Sequence, residues 1–184
     1  NNEATNDRLL MTDPDFLILP DVTWSRFLEV TRNVIESIIG EVVPEEALIG
    51  AFSGGASTSR KRTESYPASK YLGKADSTSA SLDIWHESAS CTPGWDKSSY
   101  EINIVRGNIL FTVPKNATID RCACKEPDIN MFLQKGVGSV IRDRLRRCGV
   151  NLNDQERNKS LARLGSLTGS LATLDLSSAS DSVT

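Results

Sequence analysis

Between Pro127 and Gly149 the apolar residues Ile129, Phe132, Leu133, Val137, Val140, Ile141 and Leu145 recur at steps of three and four. That spacing places them on one stripe of an α-helix. Proline suits the first turn, where its missing N–H has no partner to lose, and Gly149 lies where such a helix should stop. Upstream, 101–105 and 109–113 read as short strands around Arg106-Gly107-Asn108, whose Gly and Asn tolerate positive φ, so the two are expected to pair as a hairpin. A helix followed by strands and then helix again makes this an α+β chain.

The flanks fit that class. Phe27, Val30, Val34 and Ile38, with Ile35 and Ile39 beside them, have helical spacing after Thr23 as N-cap and before Gly40 as stop, and this helix is expected to be core. Asn153 followed by Glu156 marks another helix start. Beyond it, Leu171-Ala-Thr-Leu-Asp175 reads as an apolar strand that delivers a carboxylate. Six residues later comes Asp181. In a continuous strand the two acids would lie roughly 20 Å apart, but a helical turn through Leu176-Ser-Ser-Ala-Ser180 would bring them to roughly 9 Å. Spacing alone leaves them open to two readings, a divalent-metal and sugar-hydroxyl site or a solvated, Ser-capped turn.

Net charge is −3, yet its distribution is uneven. Residues 1–50 hold ten acids against three arginines, an acidic solvated surface, whereas 106–147 hold nine cations against four acids. A phosphate-facing wall is the functional reading of the second segment. Arg142, Arg144, Arg146 and Arg147 individually read as a solvated helix face. A further cluster, Arg60-Lys61-Arg62 with Lys70 and Lys74, lies in a Ser/Thr-rich stretch, 53–81, expected to be an extended polar surface loop. Its cations either track nucleic-acid phosphates or are simply hydrated, and Gly54-Gly55 would let backbone approach a ligand closely.

Other signals point away from chemistry. Gly136-Val-Gly138 lies within the predicted helix and follows no strand, so it reads as packing rather than dinucleotide binding. The four cysteines include no C-x-x-C, and the chain has one histidine, so neither zinc nor a Cys-His pair is supported. Aromatic residues such as Trp85, Trp95, Tyr66, Tyr71 and Tyr100 are assigned no ligand, since rings usually fill cores. No run approaches a membrane span, and the start lacks a signal-peptide pattern.

Taken in order, Phe111-Thr-Val-Pro-Lys115-Asn-Ala-Thr-Ile-Asp120-Arg121-Cys-Ala-Cys-Lys125-Glu-Pro127, the helix with Arg142-Asp-Arg144-Leu-Arg146, Val150-Asn-Leu-Asn153-Asp-Gln155 and Asp175-Leu-Ser-Ser-Ala-Ser-Asp181-Ser closely resemble the replicase of the small positive-strand RNA bacteriophages. The resemblance is strongest over 102–184, weaker around Phe52–Arg60 and slight before residue 50. It implies an RNA-directed RNA polymerase of right-hand architecture, with fingers over 1–126 and the start of the palm over 127–184. In that family the strand-borne Asp is a catalytic metal ligand, which makes Asp175 that residue, with the Leu176 carbonyl as a further ligand. Asp181 would contact the ribose of the incoming nucleotide. Lys115, Arg121 and Lys125 would meet triphosphate or template phosphate, and Arg60 with Lys61 and Arg62 would contact RNA.

The implied cofactor is Mg²⁺ in a two-metal site. Family members complete that site with a Gly-Asp-Asp turn, and the triplet does not occur in these 184 residues. The chain is therefore expected to be a fragment that is inactive alone. Implied partners are RNA template and product, nucleoside triphosphates, the host elongation factors Tu and Ts and a ribosomal RNA-binding protein, in the cytoplasm of an infected bacterium. The competing class is a non-catalytic RNA-binding protein that grips phosphate with its basic segment.

Overall fold

The computed structural model describes residues 2–92, 95, 98 and 100–174. They divide into two compact units, one from residues 1–41 with 145–184 and one from 42–144. Helices and small two-stranded sheets make up both, as expected of an α+β chain.

In the first unit, α1 (Asn2–Leu10) precedes a short antiparallel pair, β1 (Leu17–Leu19) with β2 (Val22–Thr23), and then α2 (Trp24–Ile39). The ends of α2 fall where the sequence places them. Thr23 Oγ1 accepts from the Arg26 N–H at 3.3 Å, and Gly40, at φ +80°, donates back to Glu36 O at 2.8 Å. The expectation that α2 is core is corrected: none of its residues is buried, and Phe27, Val34 and Ile35 are each about half exposed. Periodicity specifies an apolar stripe but not an element to cover it.

After α2 the chain leaves this unit and returns to form α5 (Glu156–Thr168). The side chain that caps α5 is Asp154, whose Oδ1 accepts from the Glu156 and Arg157 N–H groups at 3.1 and 3.3 Å. Gly165 allows residue 171 to pack back on the helix, since a Cβ there would lie 2.8 Å from Leu171 O. The expected strand at 171–175 is not formed over its described part, 171–174, where the backbone takes no regular conformation. A strand needs a neighbour for its N–H and C=O groups, and none pairs with this segment among the described residues.

The second unit holds the buried core. Phe52, Trp85, Trp95, Ile129 and Phe132 meet there, with Tyr71 and Tyr100 packed against them. Phe132 lies 4.8 Å from Trp95 and 5.1 Å from Phe52, ring centroid to ring centroid, in the tilted and edge-on geometries aromatic pairs favour. Phe132 belongs to α4 (Asp128–Arg147), which follows Pro127 and ends before Gly149 at φ +85°. A Cβ on Gly136 would come within 2.0 Å of Ala47 O, so this glycine serves close packing.

The strand pairing differs from the expected hairpin. β4 (Tyr100–Ile104) pairs in parallel with β3 (Gly73–Ser77), in register Gly73↔Tyr100 to Ser77↔Ile104, across α3 (Ser79–Ser90). β5 (Ile109–Pro114) pairs antiparallel with β6 (Asp120–Lys125). Val105 N–H continues the parallel ladder by donating to Ser77 O at 2.9 Å, which directs this strand away from β5. Asn116 closes the true hairpin, its Oδ1 accepting from the Thr118 and Ile119 N–H groups at 3.0 and 2.8 Å. The stretch 53–81 is likewise not an open polar loop. It contains β3 and the start of α3, and it buries Ser57, Ser65, Lys70, Asp76 and Ser77.

Candidate nucleic-acid interface

The segment between Phe52 and β3 folds against the β5–β6 hairpin, and a cleft of about 900 Å³ opens between them. Gly54, Gly55, Lys61, Arg62 and Tyr66 line one side, and Phe111, Val113 and Lys125 line the other. Among the described residues, none that lines the cleft is acidic. Lys125 Nζ lies 5.5 Å from the centre of the Phe111 ring, within cation–π range. Lys61, Arg62 and Tyr66 are exposed. The cleft is thus a cationic trough with aromatic walls, suited to a phosphate backbone with unstacked bases.

Of the cations singled out in the sequence, three converge here: Lys61, Arg62 and Lys125. Arg121 pairs with Val113 across the hairpin and so shares the strand face that carries Phe111, Val113 and Lys125. Lys115 sits in the hairpin turn, its N–H donating to Ile119 O at 2.9 Å, and does not line the cleft.

Arg60 points the other way. Its Nη2 donates to Leu72 O at 2.6 Å and Lys74 O at 2.8 Å, and the side chain is only 17% exposed. Lys70 is fully buried, with Nζ donating to Ser53 O at 2.8 Å and Gly55 O at 2.9 Å and lying 3.5 Å from Met131 Sδ. Burial pushes its ammonium below the usual lysine range; the Asp128 carboxylate opposes that shift and Arg60 adds to it. Tyr100, whose hydroxyl donates to Lys70 O, is pushed up by burial, with the Asp128 charge acting in the same sense.

Asp128 was not singled out from the sequence, where it is one more acid at a helix start. In the fold its carboxylate is fully buried and accepts from Ser57 Oγ and Ser59 Oγ at 2.6 Å each and from Asp76 N–H at 3.0 Å. Arg60 Nε stands 3.9 Å from it, too far for a hydrogen bond. Tyr66 and Phe111 were likewise not assigned to a site, because nothing local distinguishes a wall ring from a core ring.

Asp175, Leu176 and Asp181 lie outside the described residues. Among the described residues no group of three or more His, Cys, Asp or Glu is placed to hold a metal ion, and no helix is long and apolar enough to cross a membrane.

An α+β arrangement with a cationic trough agrees with its sequence relationships: the chain belongs to the RNA replicase beta-chain family, whose model matches residues 6–184. It is 43% identical to the RNA-directed RNA polymerase beta chain of Escherichia phage MS2, over 98% of this chain and 35% of that protein. It is 52% identical to the RNA-directed RNA polymerase beta chain of Enterobacteria phage GA, over 72% of this chain and 26% of that protein. With the RNA-directed RNA polymerase subunit beta of Escherichia virus Qbeta it shares 39% identity, over 85% of this chain and 26% of that protein. The chain therefore spans about a third or less of the length of these curated relatives.

Proposed function

We propose that this chain forms the fingers, over residues 1–126, and the start of the palm, over 127–184, of a right-hand RNA-directed RNA polymerase. The complete protein replicates and transcribes a phage genome by transferring nucleotides from triphosphates to an RNA 3′ end. The observation that carries this reading is the cationic trough of Lys61, Arg62 and Lys125 in a member of the replicase family. Phosphoryl transfer asks little covalent chemistry of the protein, so its work is to position the phosphates and offset their charge. Lys61 and Arg62 bind RNA phosphates, Lys125, Arg121 and Lys115 bind and orient triphosphate or template, and Asp181 contacts the ribose.

The Asp175 carboxylate and Leu176 carbonyl are hard oxygen donors of the kind Mg²⁺ takes. When bound, Mg²⁺ stabilises charge on the transferred group and assists the attacking hydroxyl. The residues here contain no Gly-Asp-Asp to complete that donor set, and by themselves they are expected not to polymerise. The same reading brings host elongation factors Tu and Ts and a ribosomal RNA-binding protein as partners, in the bacterial cytoplasm.

Replacing Lys61, Arg62 and Lys125 together by Ala in the complete polymerase is expected to weaken RNA binding. The slope of log affinity against log salt should fall by about 2, three phosphates at roughly 0.7 each for a single strand. Fluorescence titrations between low and moderate salt measure it, and an unchanged slope would return the three cations to ordinary surface charge. Lys115→Ala and Arg121→Ala are expected to raise the nucleotide KM by about three- to tenfold, because each removes a charge-assisted phosphate contact. Steady-state extension kinetics would show unaltered KM values if neither side chain meets the nucleotide.

A further inference from the structure

We propose that Asp128, with Arg60 and Lys70, is a positioning device that holds the 53–62 segment so that Lys61 and Arg62 face the trough; this rests on the RNA-binding reading of that trough. From 53 to 61 the segment contains neither helix nor strand, so its shape depends on what its inner side touches. The segment is also held without these charges, by Gly55 N–H to Ser65 O at 3.3 Å, Thr58 N–H to Glu126 O at 3.1 Å and Ser65 Oγ to Lys61 O at 2.7 Å; four of its residues are tied through the three charges. Ser57 and Ser59 both donate to the Asp128 carboxylate, one to each oxygen. Arg60 ties the same stretch to the Leu72 and Lys74 carbonyls, and Lys70 holds the carbonyls of Ser53 and Gly55.

The outer side of this short run is the trough wall. Gly54, Gly55, Lys61 and Arg62 line it, so the backbone atoms that Lys70 grips belong to residues on or next to that wall. Arg60 and Lys61 are neighbours of like charge, and the direction each takes is decided by the buried carboxylate that one of them approaches. Asp128 also accepts from the Asp76 N–H on β3, which ties the segment to the core sheet. Its carboxylate has matched work for both oxygens, whereas an amide offers one acceptor oxygen and no charge. Asp128→Asn therefore leaves one serine without its acceptor, and the buried Lys70 and part-buried Arg60 without their counter-charge.

The test is the salt dependence of RNA binding by the complete polymerase. Asp128→Asn is expected to lower the slope of log affinity against log salt by about 1.4, two phosphates at roughly 0.7 each, the same loss as Lys61→Ala with Arg62→Ala. Combining all three substitutions should bring no further loss. Ser59→Ala, which removes a single hydroxyl and leaves the charges in place, keeps the test available if Asp128→Asn does not fold, and should lower the slope in the same sense by a smaller amount. Ile129→Val, a core change beside Asp128, should lower the melting temperature and leave the slope as it was. If the Lys61 and Arg62 pair lowers the slope while Asp128→Asn and Ser59→Ala do not, the positioning role is overturned and the trough stands. If the pair itself has no effect, the RNA reading of the trough fails and the positioning role fails with it.

Discussion

In the complete polymerase, Asp175→Asn is expected to lower RNA synthesis by at least about a hundredfold while leaving RNA affinity within about twofold. The size follows from what a preorganised charge contributes to a reaction whose barrier is mostly electrostatic. The substitution keeps the side chain's shape and removes its charge, so the loss belongs to catalysis rather than to folding or to phosphate binding. Primer extension alongside RNA titration separates the two quantities. A variant that extends primers at the normal rate would remove Asp175 from the metal site and favour a protein that binds RNA without acting on it. A variant that loses RNA affinity in parallel with synthesis would place Asp175 in the binding surface instead.

Phe132→Ala is expected to destabilise the 42–144 unit by about 3–5 kcal/mol, the range for truncating a fully buried Phe. Its ring has no exposed surface and lies against Phe52, Trp95 and Tyr71. The surroundings have little room to close over the gap. A Cβ on Gly50 would stand 2.1 Å from Phe132 O, and one on Gly136 2.0 Å from Ala47 O, so the helix and the 47–50 segment are already at backbone contact. Marginal stability makes this a large fraction of the total. Urea unfolding followed by tryptophan fluorescence reports it through Trp85 and Trp95, and a loss below about 1 kcal/mol would mean that the cluster repacks around the missing ring.

Both helix ends around α2 were legible before the fold, because caps act within one turn. A threonine hydroxyl three residues from an N–H and a glycine free to take positive φ need no distant partner. The stop of α4 before Gly149, and the demotion of Gly136-Val-Gly138 to packing, were legible for similar reasons, although the Ala47 carbonyl that Gly136 admits was not. The pairing of β4 with β3 was not legible. Alternating residues and a Gly-Asn turn describe a strand and a bend, but whether the neighbour is β5 or β3 depends on which face reaches the core. Ala75, Ile102 and Tyr100 reach it in the parallel arrangement, beside Trp85.

The cations show the same division at single-residue scale. Sequence by itself determined that this chain is α+β, that its positive charge gathers in the 60–62 and 106–147 segments, and that it resembles phage replicases. Those properties reside in residue type and short-range spacing. It had no means of separating Arg60 from Lys61, or of knowing that Lys70 is buried, because the separation is made by one carboxylate 68 positions from Arg60, reaching the segment through two serines. Only the tertiary structure decided which cations hold the segment and which face the trough. A buried charge requires a partner in space, and its distance along the chain is no guide to that partner.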